Sequence, residues 1–175
     1  MSPVVKKSIL LIIAVNDFNE TEFLTVKTEL ARKNYNVFIA SDSDGFCRGE
    51  NGLKVKGDIS FFNMKAANFG GVIVIGGKGI KGYRDNIMLH SLIKEFNRAK
   101  KAIGAICGAP VVLSRAGILA EKDAVCYYPD KAELEKSGAI YKDSDIVVSK
   151  NIITAKGPST TSQFITGFIN ILEKL

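Results

Sequence analysis

The chain has 175 residues, 46% of them hydrophobic and 24% charged, which suits one domain over 1–175 with a core of its own. The net charge is +6, but the lysines are spread along the chain without an aromatic-rich basic cluster, so we expect no nucleic-acid partner. The three cysteines are odd in number and widely spaced, which fits neither a disulfide framework nor paired Cys-x-x-Cys metal ligands. We therefore expect a cytoplasmic protein without a metal or cofactor.

The first fifteen residues have the outline of a short signal peptide, because basic residues precede an apolar run. Polar Asn16 and Asp17 stand where a cleavage site would be, and the run is too short to span a bilayer. We therefore expect residues 9–15 to form a buried first strand, and no membrane partner.

Short β-branched runs alternate with helix-period segments along the chain. In chain order, the pattern predicts strand 9–15, helix 20–33, strand 36–40, a hairpin or irregular excursion at 46–55, strand 72–75, helix 85–99, strand 102–106, helix 109–116, strands 146–148 and 152–155, and helix 160–175. This alternation predicts an α/β fold with a mostly parallel sheet between helices. Binding sites of such sheets lie beyond the carboxyl ends of the strands, here at 16–22, 76–82, 107–110 and 156–161.

Cys107 directly follows strand 102–106 and precedes the helix that Pro110 opens. Small neighbours permit a sharp turn, similar to a nucleophile elbow with sulfur in place of oxygen. A helix N-terminus favours negative charge, so we expect a lowered thiol pKa and a reactive thiolate, with the N–H of Gly108 facing any oxyanion. From the local sequence alone, a small buried hydrophobe explains Cys107 equally well.

The stretch AICGAP at 105–110 resembles the cysteine elbow of the ThiJ/PfpI superfamily. Three more segments match in order and spacing: DFNETE at 17–22 is similar to the loop of the family's acidic partner, VIVIGG at 72–77 to its strand ending in two glycines, and KGPST at 156–160 to its turn into the last helix. The resemblance covers nearly the whole chain. It implies a flavodoxin-like, class I glutamine amidotransferase-like three-layer fold and a homodimer.

The resemblance further implies that Glu22 is the carboxyl partner of Cys107, and that Gly77 and Gly108 donate backbone N–H groups to an oxyanion pocket. A carboxyl beside a thiolate should have a raised pKa, stay protonated and shuttle a proton. Without the resemblance, Glu22 would simply complement a helix dipole. The segment GKGIKG at 77–82 matches the dinucleotide pattern, but it does not follow the first strand and lacks the later acidic residue.

The chain departs from the family at histidine. Many members place a His before a Pro after the elbow helix, and the protease-like branch has one directly after the cysteine; here these positions hold Tyr128 and Gly108. The single histidine, His90, falls in a predicted helix upstream of the elbow. A Cys-His dyad is therefore not expected, which argues against a peptidase or a glutamine amidotransferase. Tyr128 is a candidate third site residue as a hydrogen-bond donor, although a pKa near ~10 makes tyrosine a poor base at neutral pH.

The two other cysteines carry weaker signals. Cys126 lies two residues before Tyr128 and is expected on the same face of a strand, as either a resolving thiol or a core residue. Cys47, in the glycine-rich excursion, could be exposed, but nothing around it suggests activation.

Two functions of different classes fit these residues. In the first, Cys107 attacks a small reactive carbonyl such as methylglyoxal, or its adduct on a glycated protein side chain, and Glu22 moves the proton; this is the glyoxalase or deglycase activity attributed to relatives. In the second, the protein is a non-enzymatic oxidative-stress sensor whose Cys107 is oxidised to a sulfinate that a protonated Glu22 stabilises. No feature of the sequence speaks for a third function, a holdase-like chaperone.

Overall fold

A seven-stranded sheet forms the centre of the computed structural model, which describes residues 2–43 and 45–175. From edge to edge its strands are β11 (Ile146–Ser149), β12 (Ile152–Ala155), β8 (Ala102–Ile106), β7 (Gly71–Val74), β1 (Ser8–Ile12), β3 (Asn36–Ser41) and β6 (Ile59–Ser60). Neighbouring strands are parallel except β11 and β12. The predicted mostly parallel sheet is confirmed.

Smaller sheets and helices surround the central sheet. The smaller sheets are β2 (Asn16–Phe18) with β4 (Phe46–Gly49) and β5 (Lys54–Lys56), and β9 (Asp123–Ala124) with β10 (Ile140–Tyr141). The α-helices are α1 (Pro3–Lys6), α2 (Glu20–Arg32), α3 (Ile87–Arg98), α4 (Pro110–Arg115), α5 (Lys131–Lys136) and α6 (Thr161–Lys174). Strands β4 and β5 pair antiparallel, so the predicted hairpin is also confirmed.

Helices cover both faces of the central sheet because its strands are apolar on both sides. All five residues of β1 are buried, as expected for the first strand. Alternate side chains point to opposite faces: Ile9 and Leu11 pack in a cluster with α2 and α6, whereas Leu10 and Ile12 pack in a cluster with α3 and α4. The result is a three-layer α/β/α arrangement. Within the described ranges, no helix is long and apolar enough to cross a membrane.

The strand order places several chain segments at one edge of the sheet. Apart from the short β6, the parallel strands β3, β1, β7, β8 and β12 stand in the order second, first, third, fourth and fifth along the chain, which is flavodoxin-like. The order reverses between β1 and β7, and such sheets bind ligands at the carboxyl ends of the strands near this point. Helix α2 follows β1, Gly76 and Gly77 follow β7, and Cys107 follows β8.

Candidate active site

Cys107 occupies a sharp turn between β8 and α4, with a positive φ of 61°. Its N–H donates to the carbonyl of Ala155 at 3.0 Å, and its own carbonyl accepts the N–H of Tyr127 at 2.8 Å. A left-handed conformation is uncommon for a residue that carries a Cβ, and such a conformation persists where neighbouring structure fixes it. The two hydrogen bonds provide that fixation, so the predicted elbow is present.

Glu22 reaches the elbow from the first turn of α2. Asn19 caps this helix by accepting the N–H of Glu22 at 2.9 Å. The Glu22 side chain is fully buried, and its Oε2 accepts the N–H of Gly76 at 2.9 Å. The carboxyl group lies beside Cys107, because a Cβ on Gly76 would be 2.9 Å from Oε2 of Glu22 and 2.5 Å from the Cβ of Cys107; Oε1 of Glu22 has no hydrogen-bond partner among the described residues. Glu22 is therefore a buried neighbour of the sulfur, and not a solvent-facing charge at a helix end.

The pKa of Glu22 has the direction that the sequence predicted. Burial raises this pKa from 4.5 to about 8, although the hydrogen bond from Gly76 acts in the opposite direction. Glu22 therefore keeps its proton at pH 7 and can donate a hydrogen bond. The main cause is burial, whereas the sequence argument relied on an adjacent thiolate.

The glycines after β7 allow the close approach of these groups. A Cβ on Gly76 would lie 2.5 Å from the Cβ of Cys107 and 2.9 Å from Oε2 of Glu22. Gly77 has a φ of 110°, and a Cβ there would collide with the backbone at the end of β2 and at Asn19, the N-cap of α2. The backbone N–H groups of Gly77 and Gly108 favour the anionic form of the Cys107 sulfur and so act to lower its pKa. The structure thus brings the four residues named by the family resemblance together; their catalytic roles stay predictions.

The thiol pKa does not follow the sequence prediction. Burial and the charge that Glu22 carries when ionised raise the pKa of Cys107 to about 12, and the N–H groups of Gly77 and Gly108 offset this rise only in part. Helix α4 has six residues, and its dipole does not outweigh the burial of the thiol. The predicted lowering is therefore wrong for the resting site. Because the two acids are neighbours, they lose their protons as a coupled pair.

Cys107 lies in the wall of a pocket of about 340 Å³. The lining residues are Asn19, Glu50, Gly77, Lys78, Lys81, Cys107, Gly108, Tyr127, Asp130 and Pro158. The segments 76–82 and 156–161 that the sequence singled out contribute Gly77, Lys78, Lys81 and Pro158. Glu50, Tyr127 and Asp130 were not identified as pocket residues. The only available signal for Asp130 was its position next to the Tyr-Pro pair.

Tyr128, the candidate third residue, lies outside the pocket. Its side chain is 64% exposed, and its ring packs edge-on against Tyr141 with 6.5 Å between ring centroids. The strand expected here ends at Ala124, and a 3-10 helix covers Tyr128–Asp130, so the alternation of a strand does not apply. As a result the neighbouring Tyr127 lines the pocket.

The remaining sulfur and imidazole groups are separate from the pocket. Cys47 and Cys126 are fully buried, so the suggestion that Cys47 could be exposed is wrong. Burial raises the pKa of both thiols, to about 12 for Cys126. His90 lies in α3, where its Nε2 is 2.7 Å from the carbonyl oxygen of Arg84. Residues 2–43 and 45–175 contain no cluster of three or more His, Cys, Asp or Glu side chains that could hold a metal ion.

Comparison with known proteins agrees with this geometry. A ThiJ/PfpI domain protein from Brachyspira murdochii, 26% identical in sequence, superposes with a TM-score of 0.94 over 97% of this chain and 98% of that one. An uncharacterized protein of Methanocaldococcus jannaschii is 36% identical over 95% of this chain and 82% of its own length.

Two further relatives have names that state an activity. A protein of Caenorhabditis elegans, named a glutathione-independent glyoxalase, is 30% identical over 96% of this chain and 90% of its own length. A protein of Pyrococcus horikoshii, named a deglycase, is 24% identical over 93% of this chain and 98% of its own length. The model of the DJ-1/PfpI family matches residues 7–171. The chain therefore belongs to the DJ-1/PfpI family.

Proposed function

We propose that the protein is an enzyme of the glyoxalase or deglycase type, which acts on small reactive carbonyl compounds with Cys107 as nucleophile and Glu22 as proton shuttle. The observation that carries this proposal is the closeness of a half-buried thiol to a buried carboxyl with a pKa of about 8. A group whose pKa is close to the working pH is well suited to accept and return a proton. The names of the two relatives support the carbonyl class of substrate.

The first step adds the sulfur to the aldehyde carbon. At pH 7 about one Glu22 carboxyl in ten is ionised and can accept the thiol proton as the S–C bond forms. The carbonyl π electrons move to oxygen, where the N–H groups of Gly77 and Gly108 stabilise the negative charge. Glu22 then returns the proton to this oxygen, which gives a hemithioacetal.

The second step converts the adduct to product. With methylglyoxal, Glu22 carries the proton on the former aldehyde carbon to the neighbouring carbonyl carbon, while the hydroxyl proton of the adduct moves to the oxygen of that neighbouring carbon. The former aldehyde carbon becomes a carbonyl again, and a lactoyl thioester of Cys107 results. Water then attacks the thioester carbon, the C–S bond breaks, and the thiol regains its proton. One methylglyoxal and one water give one lactic acid, without an external oxidant or reductant.

A second candidate function is a sensor in which Cys107 becomes a sulfinate. The same geometry favours it, because a protonated Glu22 and the N–H groups of Gly77 and Gly108 all present donors near the sulfur. Sulfinate oxygens accept hydrogen bonds, so these donors would stabilise this oxidation state. Peptidase activity is not proposed, since no imidazole lines the described pocket.

Turnover by the purified protein separates the two functions. We expect methylglyoxal to be converted to lactate, and Cys107→Ser to reduce the rate at least about a hundredfold. Cys47→Ser is the matched control, because that thiol is buried away from the pocket, and it should retain the activity. Absence of turnover, together with peroxide adding two oxygen atoms selectively to Cys107, would favour the sensor.

A further inference from the structure

Arg84 and Asp130 form a buried ion pair beside the Cys107 pocket. Their charged atoms are 2.6 Å apart, and the side chains are only 12% and 7% exposed. Each other ion pair among the described residues has at least one partner that is more than a third exposed. Burial of two charges costs desolvation energy, so such a pair is weak evidence for a stabilising role alone.

The position of the pair relates it to the site. Arg84 directly follows the 3-10 helix Lys78–Tyr83, which begins after Gly77. Asp130 ends the turn in which the N–H of Tyr127 donates to the carbonyl of Cys107. The pair therefore connects the segment that carries one oxyanion N–H to the segment that holds the elbow.

The Asp130 carboxylate also lies close to the elbow, in the wall of the same pocket. Its Oδ1 contacts Arg84, while Oδ2 has no hydrogen-bond partner among the described residues. A Cβ on Gly108 would be 3.2 Å from Oδ2. Because Gly108 has no side chain, this carboxylate can lie close to the backbone of the residue that follows Cys107.

We propose that Arg84 and Asp130 are positioning residues of the Cys107 site, which fix the spacing of the two N–H donors and set the net charge near the sulfur. A carboxylate here disfavours a thiolate, and the guanidinium offsets it. The other charged groups facing Cys107 are Glu22 on α2, which is neutral at pH 7, and Glu50, Lys78 and Lys81 at the pocket mouth. Those three are exposed, so water and salt screen their effect more than that of the buried pair.

The test is the pH profile of Cys107 alkylation by iodoacetamide in two single variants. Asp130→Asn removes the negative charge and leaves the guanidinium, so the profile should move to lower pH and the rate at pH 7 should rise about tenfold, the effect of one pKa unit. Arg84→Gln leaves the carboxylate unpaired, so the profile should move to higher pH with a rate about tenfold lower. Arg84→Lys, which keeps the charge, should restore a rate within about threefold of wild type.

A control is Arg32→Gln, since Arg32 forms an exposed ion pair with Glu29 on α2 and does not line the Cys107 pocket, and it should leave the profile unchanged. Circular dichroism confirms that each variant is folded. Shifts of the two single variants in the same direction, or no shift in either, would overturn the proposal. If Arg84→Gln does not fold, Asp130→Asn decides alone, because an unchanged profile contradicts the charge effect. Alkylation requires no carbonyl turnover, so the result is independent of the proposed enzymatic activity.

Discussion

The elbow and the β4–β5 hairpin contain the same residue types in opposite environments. Each has a cysteine, a glycine with positive φ, and a glutamate from the first turn of α2. At the elbow, Glu22 is buried beside Cys107. At the hairpin, Oε1 of Glu20 accepts the N–H groups of Asn51 and Leu53 at 2.8 and 2.9 Å and so fixes the turn.

The two cysteines differ because their backbones differ. Cys47 is a ladder residue opposite Val55, and its side chain is packed in the core. Cys107 stands where parallel strands end, and there the N–H groups of Gly77 and Gly108 favour the anionic form of its sulfur. The elbow therefore differs from the hairpin in the donors and acids at the sheet edge, and not in the presence of a cysteine beside a glutamate and a glycine.

The largest expected effect is on the pH dependence of stability, and it arises because buried Glu22 keeps its proton in the folded protein. An unfolded glutamate releases its proton near pH 4.5, whereas the folded protein holds it up to about pH 8. Between these values the folded state binds more protons, so the stability contribution of Glu22 is complete below pH 4.5 and is lost as the pH rises to 8, by up to about 5 kcal/mol. Glu22→Gln does not suffer this loss. The free energy of unfolding of the variant should therefore rise relative to that of wild type as the pH increases from 4.5 to 8.

Urea denaturation at pH 4.5 and pH 8 measures this difference. Glu22→Ala is the control: it lacks the hydrogen bond to Gly76, so it should be less stable than Glu22→Gln at both pH values, while its stability relative to wild type should rise by the same amount from pH 4.5 to pH 8. Parallel pH profiles for wild type and Glu22→Gln would mean that the carboxyl is ionised in the folded protein at neutral pH.

A second prediction compares two glycines with positive φ. Gly77 has a φ of 110° and would place a Cβ against the backbone at the end of β2 and at Asn19, whereas Gly52 in the hairpin has a φ of 95° and nothing within 4 Å. Gly77→Ala should destabilise the protein by about 3–5 kcal/mol, from backbone strain plus overpacking. Gly52→Ala suffers the strain alone and should cost about 1 kcal/mol. Thermal and urea unfolding check both values, and equal losses would show that crowding at the elbow is unimportant.

The third prediction concerns thiol labelling. Cys107 is partly exposed, whereas Cys47 and Cys126 are fully buried and react only when the structure opens locally. With limiting iodoacetamide at pH 7, peptide mapping should find Cys107 labelled at least about a hundredfold faster than either. The rate should increase with pH because alkylation requires the thiolate. Faster labelling of Cys47 would mean that the hairpin opens readily and that neither the exposure of Cys107 in the folded state nor its place at the elbow decides which thiol reacts first.

Sequence patterns predicted the central sheet well because its strands are covered on both faces. Strands β8 and β12 have the predicted bounds, and the four predicted helices lie within two residues of their observed ends. The first strand ends at Ile12, earlier than the apolar run, because residues 13–15 lead into the loop before α2. Short elements such as α5 and β10 were missed, since too few residues are present to show a period.

The site was predictable only as far as it depends on strand ends. The topology places Cys107, Glu22 and Gly77 at one edge, but the pKa of the thiol depends on burial, which no local pattern reports. The contact between Arg84 and Asp130 joins segments far apart in the chain, so neither residue carries a local signal.

The smallest expected effect is that of a substitution at Tyr128, which follows the pocket residue Tyr127. The family resemblance implies that Tyr128 takes the place of a histidine, yet Tyr128 is 64% exposed and does not line the pocket, whereas Tyr127 does. Tyr128→Phe removes a hydroxyl that faces away from the reacting atoms and should change carbonyl turnover by less than about twofold, as expected for a surface substitution. Tyr127→Ala removes part of the pocket wall and should raise KM severalfold with little change in kcat, because it alters binding of substrate and transition state alike.

Steady-state kinetics of both variants decide which of the two tyrosines belongs to the site. A larger loss in Tyr128→Phe than in Tyr127→Ala would show that the Tyr128 side chain turns into the pocket during turnover, and the third position inferred from the family pattern would then belong to this site after all.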